Sequence, residues 1–497
     1  MHANPLAPAW LQPPVDANAL AAAVWPANAH RGDDGMLMLA GVRADDLVER
    51  FGTPVYVMDE ADVRERATRV RAAFLSAFGR IDSTARVYYA GKAFLSAEVA
   101  RWVAEAGLGI DVASGGELAV ALAAGTDPAI TGVHGNAKSD AELRRAIEVG
   151  VGSIVIDSFA EVERVAAIAT ELGRVQPVRL RINSGVHAST HEYLATAHED
   201  QKFGVPLTRA VETVDAIRLH ESLRFLGLHS HIGSQIFESD GFSAAISRLM
   251  GLHARLLQDG PVPQLNLGGG FGIAYTDVDE PRPIEDIAND MAAELASAAA
   301  RLGVPVPDVA LEPGRSIVGP AGVTLYRVEV VKPLQVTVPM PPFDPARDGD
   351  TREDTVATRT YVSVDGGMSD NIRPALYRAE YSARIASRVS TAEPILARVA
   401  GKHCEGGDIV VHAEYLPGDV ERGDLLAVPA TGAYGWAMAS NYNWIARPPV
   451  VAVRDGVARV IVHGETIDDL LRRDAGLDRG RTDSGQTAAS EGSTTSD

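Results

Sequence analysis

Four short stretches carry residue types able to do chemistry together. The first is VYYAGKAF, Val87 to Phe94, in which β-formers lead through Ala90 and Gly91 to a single lysine, Lys92. Most lysines are solvated surface charges. Here the apolar flanks offer the ammonium little water, a setting that favours the neutral amine and suits Lys92 to forming a Schiff base. The second is LHSHIGSQ, Leu228 to Gln235. Its histidines read either as core residues satisfied by backbone or, at His231, as a flat ring for stacking beside Gly233 and Ser234, whose donors suit an anion. No carboxylate or cysteine cluster accompanies the two histidines in sequence, so no metal is expected.

The third stretch, NLGGGFG from Asn266 to Gly272, places Gly268, Gly269 and Gly270 after a strand pattern. Turns use glycine in any case. Three in a row at the end of a barrel strand also let backbone approach a phosphate closely. Because GxGxxG and GxxxxGKS are both missing, the phosphate belongs to a small cofactor rather than a nucleotide. The fourth, EPGR from Glu312 to Arg315, is either a turn with a surface ion pair or, at a barrel mouth, a carboxylate that accepts a hydrogen bond from a protonated pyridine nitrogen. The lone cysteine, Cys404, reads by itself as an inert buried thiol.

Each of the four stretches needs an element to aim it, and each follows a strand pattern. From Glu60 the chain alternates helix and strand: VYYA, GIDVAS, ITGVHGN, SIVIDS, VRLRIN, FLGLHSHIGSQ, LNLGGGF and VALEPGRSIV are eight strand segments separated by helical ones. Gly107, Gly125, Gly150 and Gly173 close helices. Eight such units predict a (β/α)8 TIM-like barrel, with a doubly wound open sheet as the alternative. The expected division is an irregular N-terminal arm over 1–35 with Trp10 and Trp25 as its bulky anchors, a strand and helix element over 36–59 joining a β-domain, the barrel over 60–320, an all-β domain over 321–475, and a disordered tail over 476–497. MLMLAGV from Met36 is expected as one strand, and 339–355 as a Pro- and Asp-rich surface insertion.

Composition narrows the function classes. A net charge of -20 with no concentrated basic run argues against nucleic acid and anionic membrane as partners. One cysteine excludes an intrachain disulfide, and no apolar run reaches transmembrane length, so a cytoplasmic protein is expected.

Taken in order, these motifs resemble the fold-type III pyridoxal phosphate decarboxylases over about residues 35 to 475. The resemblance rests on Lys92 in YYAGKAF, Asp111 in IDVASGGE, His231 in HIGSQ, Gly268 to Gly270 and EPGR, and further on DGGMSDNIRPALY from Asp365 to Tyr377, CEGGD from Cys404 to Asp408, and GAYG from Gly432 to Gly435. It implies an alanine-racemase-like barrel and β-domain that bind pyridoxal 5'-phosphate. Lys92 is implied as the Schiff-base lysine and Cys404 as the proton donor to the reacting carbon. Asp111, His231, Ser234, Gly268, Gly269, Gly270, Glu312, Gly314, Arg315 and Tyr434 are implied as cofactor contacts, and Arg315, Arg373, Tyr377, Glu405 and Tyr434 as substrate contacts.

Within the family the substrate residues resemble those of the branch acting on meso-2,6-diaminopimelate, because two arginines suit the carboxylate at its distal end and ornithine has none there. The loop THEYLATAHEDQKFG, Thr190 to Gly204, points the same way. Ornithine, arginine or carboxynorspermidine decarboxylation and, outside catalysis, simple pyridoxal phosphate binding are the alternatives. The resemblance also implies a homodimer in which Cys404 and Glu405 reach the neighbouring active site. One departure is Gly406, where the family usually has serine.

Overall fold

The computed structural model of the protein describes residues 4–186, 202–338 and 356–480. The arm is not irregular throughout: β1 (Ala29–Arg31) pairs antiparallel with β2 (Leu37–Leu39), which pairs with β3 (Val42–Arg43). MLMLAGV is therefore two strands rather than one. Ala40 and Gly41 between them have φ of 47° and 83°, the left-handed pair that matches a two-residue turn to the twist of a hairpin. A helix over Ala44–Phe51 ends at Gly52, and β4 (Val55–Asp59) follows.

The eight expected barrel strands are present. They are β5 (Ala85–Ala90), β6 (Gly109–Val112), β7 (Thr131–Val133), β8 (Ser153–Ile156), β9 (Gln176–Asn183), β11 (Leu223–His229), β12 (Gln264–Asn266) and β13 (Asp308–Leu311), with the two-residue β10 (Val205–Pro206) added beside β9. Every neighbouring pair is parallel, and β13 returns to β5, Val309 opposite Ala85, so the sheet closes and the open-sheet alternative is excluded. Strands buried on both faces need helices outside and side chains inside. β6 and β8 are buried at every residue, and the helices between strands give their apolar sides to the same core. Gly107, Gly125, Gly150 and Gly173 take positive φ just after their helices, which turns the chain back toward the next strand.

Beyond the barrel the chain is mostly strand: β14 (Gly322–Thr337), β15 (Val356–Val364), β16 (Arg384–Ile385), β17 (Pro394–Ala400), β18 (Ile409–Pro417), β19 (Leu425–Pro429), β20 (Val450–Arg454) and β21 (Val457–Val462). The sheet runs β18-β17-β15-β14-β4-β20-β21, with β19 also on β14 and β16 on β19. Thus β4, from before the barrel, lies between β14 and β20. A second core forms there around Trp25, Tyr326 and Tyr381, all at most 2% exposed. The insertion at 339–355, most of the Thr190 to Gly204 loop and the tail past 480 lie outside the described residues. The first part of the segment expected to be disordered instead forms a short 3-10 turn over Ala475–Gly480. No described helix is long and apolar enough to cross a membrane.

Candidate active site

The C-terminal ends of the barrel strands converge on a buried polar cluster. Lys92 sits in the single 3-10 turn Gly91–Ala93 that follows β5. That turn is pinned from three sides. Tyr89 donates its hydroxyl to Phe94 O at 2.5 Å, the Ala90 N–H donates to Pro313 O at 3.0 Å, and the Tyr434 N–H donates to Ala93 O at 2.8 Å. A Cβ on Gly314 would stand 3.0 Å from Ala90, so glycine there lets EPGR close onto the lysine turn. The dry setting expected for Lys92 is not found. Gly91, Ala93 and Phe94 are buried, but the Lys92 side chain is exposed to a cavity of about 850 Å³. Lys92 lies past the strand in the turn, where its side chain lines the cavity while Ala93 and Phe94 go into the core, so apolar neighbours in sequence do not become the lysine's surroundings in space.

Glu312 directly follows β13 at 9% exposure, which rules out the surface ion pair. Its Oε1 accepts from Asn266 Nδ2 at 2.6 Å and lies 3.1 Å from His229 Nε2. His134 Nε2 is 3.5 Å from the same oxygen and 3.3 Å from Asp111 Oδ1. Burial alone would raise the Glu312 carboxyl. The imidazoles of His134, His229 and His231 outweigh it and hold Glu312 well below the usual carboxylate range. Burial raises Asp111, and His134, despite burial, is raised by Glu312 and Asp111. Burial lowers His229 to about 4. The LHSHIG histidines are thus accompanied by a carboxylate after all: His134, His229 and Glu312 bring three donor atoms within 4.8 Å of one another. Glu312 lies far from them in sequence, which is why the motif alone does not show it.

His231 is half-buried, and its Nδ1 accepts from the Gly269 N–H at 3.3 Å. Burial and the neighbouring Lys92 ammonium keep its ring neutral. The three glycines pack where no side chain fits. A Cβ on Gly268, Gly269 or Gly270 would lie 2.6, 2.0 or 2.4 Å from the carbonyl oxygens of Ser230, Glu312 and Gly233. Among the described residues the Gly270 N–H makes no hydrogen bond and Asp111 Oδ2 has no partner.

The cavity wall holds two arginines. Arg315 Nη2 donates to Ser234 Oγ at 2.9 Å and Nη1 to the Tyr275 hydroxyl, with the guanidinium 4.8 Å above the Tyr434 ring. Arg373, 6% exposed, donates to the Tyr381 hydroxyl and lies 4.5 Å from the Tyr275 ring centre. Among the described residues neither has a carboxylate partner, in a chain with twenty more acids than bases. Tyr377 and Tyr434 line the same cavity.

Cys404 and Glu405 do not join this cavity. They are exposed on the loop between β17 and β18, so the buried thiol expected from sequence alone is not found. Behind them His403 Nδ1 lies 2.9 Å from Asp408 Oδ2, which fixes the base of the loop. At Gly406 a Cβ would meet nothing within 4 Å. Five residues of the site were not anticipated as such: His134, His229, Asn266, Tyr275 and Tyr381. His134 and Asn266 stand at strand ends as the motif residues do, and that position was the available signal. Tyr275 and Tyr381 stand at none, and their pairing at 5.0 Å depends on how the barrel meets the β-sheet.

Comparison with known proteins bears on this geometry. Residues 60–319 match the family described as pyridoxal-dependent decarboxylase, pyridoxal binding domain. The chain belongs to the pyridoxal-dependent decarboxylases. Curated relatives in this family include the diaminopimelate decarboxylases of Mycobacterium tuberculosis, 47% identical over 91% of this chain and 98% of theirs, and of Bacillus subtilis, 42% identical over 88% and 95%. A solved diaminopimelate decarboxylase from M. jannaschii in complex with L-lysine superposes with a TM-score of 0.80 at 30% identity, over 90% of this chain and 98% of that one.

Pyridoxal phosphate is the cofactor of this family, and the site fits it. A flat heteroaromatic with a phosphate needs an anion cradle of backbone, a carboxylate that stays ionised for the ring nitrogen, and a nearby primary amine. Gly268 to Gly270 with the free Gly270 N–H, Glu312 among its imidazoles, and Lys92 on the cavity wall supply those three features.

Proposed function

We propose that the protein decarboxylates meso-2,6-diaminopimelate to L-lysine and CO2. The observation that carries the reading is that Arg315 and Arg373 share the Lys92 cavity without a carboxylate partner among the described residues. Two unpaired guanidinium groups on the way to a reactive lysine suit a substrate whose far end bears a carboxylate. The diaminopimelate decarboxylases among the relatives, one of them solved with L-lysine, support it.

When bound, pyridoxal phosphate supplies a conjugated cation that takes up the electron pair left by departing CO2. The residues do the rest. Lys92 would hold the cofactor through its side-chain amine. Glu312, kept ionised, holds the proton on the ring nitrogen, while Asp111 stands on the same side of the barrel. His231 offers a neutral ring face, kept so by burial and the nearby Lys92 charge, with its Nδ1 accepting from the Gly269 N–H. Ser234, Gly268 to Gly270 and Gly314 cradle the phosphate, and Arg315 steadies Ser234. Arg315 and Arg373, with Tyr377 and Tyr434, grip the distal carboxylate. Cys404 and Glu405 of the partner subunit complete the site, the thiol delivering a proton to the carbon that lost CO2 and the carboxylate binding the distal ammonium. Their exposure outside the cavity of their own chain supports a shared site. The same reading places the enzyme in the cytoplasm, where its one thiol stays reduced. It also takes residues 60–320 and the later strands as the two working domains.

The test is CO2 release from meso-diaminopimelate, ornithine, arginine and carboxynorspermidine side by side. Release from meso-diaminopimelate alone is expected. Preferred release from any of the others would overturn the assignment.

A further inference from the structure

Trp10 lies on the wall of the Lys92 cavity, together with Arg373 and Tyr377, although it stands in the sequence far from every motif of the site. Its position is built rather than incidental. The Asn4 N–H donates to the Tyr415 hydroxyl at 3.1 Å and Asn4 Nδ2 to Thr358 O at 2.8 Å, while Arg359 Nη2 donates to Leu6 O at 3.0 Å. Leu6, Ala7 and Leu11 pack on Leu396, Ala413 and Tyr415, which form a small core of their own on β17 and β18. Between these anchors the chain turns on two short backbone bonds, Ala7 N–H to Asn4 O at 2.8 Å and Leu11 N–H to Pro8 O at 2.9 Å. Trp10 is half-buried at the end of this strap.

We propose that Trp10, delivered by the anchored arm, is a selectivity residue of the cavity: its ring narrows the approach to Lys92 and helps hold the substrate. An indole ring offers an apolar wall for a methylene spacer and an electron-rich face for an ammonium, and the substrate class proposed above, a diamino dicarboxylate, carries both. The part concerning substrate rests on that reading. The part concerning access to Lys92 does not.

The test uses the full chain loaded with pyridoxal phosphate, as Trp10→Ala, Trp10→Phe and, to release the strap without touching the ring, Asn4→Ala combined with Leu6→Ala. Hydroxylamine, a small amine nucleophile, discharges the visible absorbance of the Lys92-bound cofactor. Trp10→Ala and the strap variant are expected to lose it at least about fivefold faster than the parent, and Trp10→Phe at close to the parental rate. A rate within twofold of the parent in both open variants would overturn the proposal. This readout needs no substrate, so it decides the role of Trp10 even if meso-diaminopimelate proves not to be decarboxylated. With meso-diaminopimelate, KM is expected to rise about fivefold or more while kcat stays within about twofold. Faster discharge with an unchanged KM would overturn the substrate-holding part alone.

Discussion

Glu312 and Arg373 are both buried charges of the candidate site, but they are held by opposite means. Glu312 is surrounded by groups that stabilise its charge, Asn266 at 2.6 Å and two imidazoles, all on the rigid ends of barrel strands. Among the described residues the Arg373 side chain is held by tyrosines: the hydroxyl and ring of Tyr381 and the ring of Tyr275. A buried ion with its partners built in is finished before any ligand arrives, whereas one held by neutral rings keeps its charge for whatever enters. The barrel half is therefore preset, and the half facing the β-sheet is, on the proposed function, the one waiting for an anion.

Replacement of Lys92 by alanine should act most strongly on the preset half. Decarboxylation is expected to fall to the assay background and the visible cofactor absorbance to vanish, and retained turnover would remove Lys92 from the chemistry. Cys404→Ala should lower kcat by about 10²- to 10⁴-fold, the range for losing a general acid. Mixed in equal amounts with Lys92→Ala chains it should recover about a quarter of parental activity if sites are shared between two subunits. No recovery would confine each site to one chain. Arg373→Leu tests the waiting half: KM for meso-diaminopimelate should rise by the equivalent of about 2–5 kcal/mol, with cofactor absorbance unchanged. A loss of cofactor instead would erase the distinction between the halves.

Protonation should separate the two regions more gently. His253, 1% exposed on the helix Asp240–Leu256 behind the barrel, is lowered by burial to about 4. Its neutral form is the one the fold accepts, so its contribution is present above about pH 6.5 and is lost as pH falls toward 4. Asp370, buried against Tyr56 of β4 and Tyr326 of β14, is raised by burial to about 7 from 3.8, despite the Tyr326 hydroxyl at 2.6 Å. Its contribution has the opposite sign, being present below about 3.8 and lost as pH rises through 7. Urea midpoints measured from pH 4 to 8 should lose their acid-side slope in His253→Leu and part of their neutral-side decline in Asp370→Asn. The smallest effect is expected from Gly406→Ser. With nothing within 4 Å of the new Cβ, stability should change by no more than about 0.5 kcal/mol.

The preset half was also the legible half. Lys92, His231, the three glycines and Glu312 each follow a strand, and strand plus turn is a local pattern that a sequence displays directly. The eight strands followed from the same alternation, which favoured a barrel but left the open sheet as an alternative that only the pairing of β13 with β5 excludes. What sequence hid was contact between distant segments. Tyr275 and Tyr381 meet only because the barrel and the β-sheet pack together, and the exposure of Lys92 follows from where its side chain points rather than from its apolar flanks. The sequence offers Trp10 only as a bulky anchor for the arm, while the structure puts it on the cavity wall.

The place of β4 between β14 and β20 has a consequence for biosynthesis. The strand leaves the ribosome before the barrel, yet both of its edges are covered only by segments made after it. A nascent chain that has just completed β13 would carry β4 with two open edges, a state prone to wrong pairing. Ordering of β4 in its sheet is therefore deferred until after the barrel is made, so a chain that ends at β13 has all its barrel strands before it has Arg373 to set beside Tyr275.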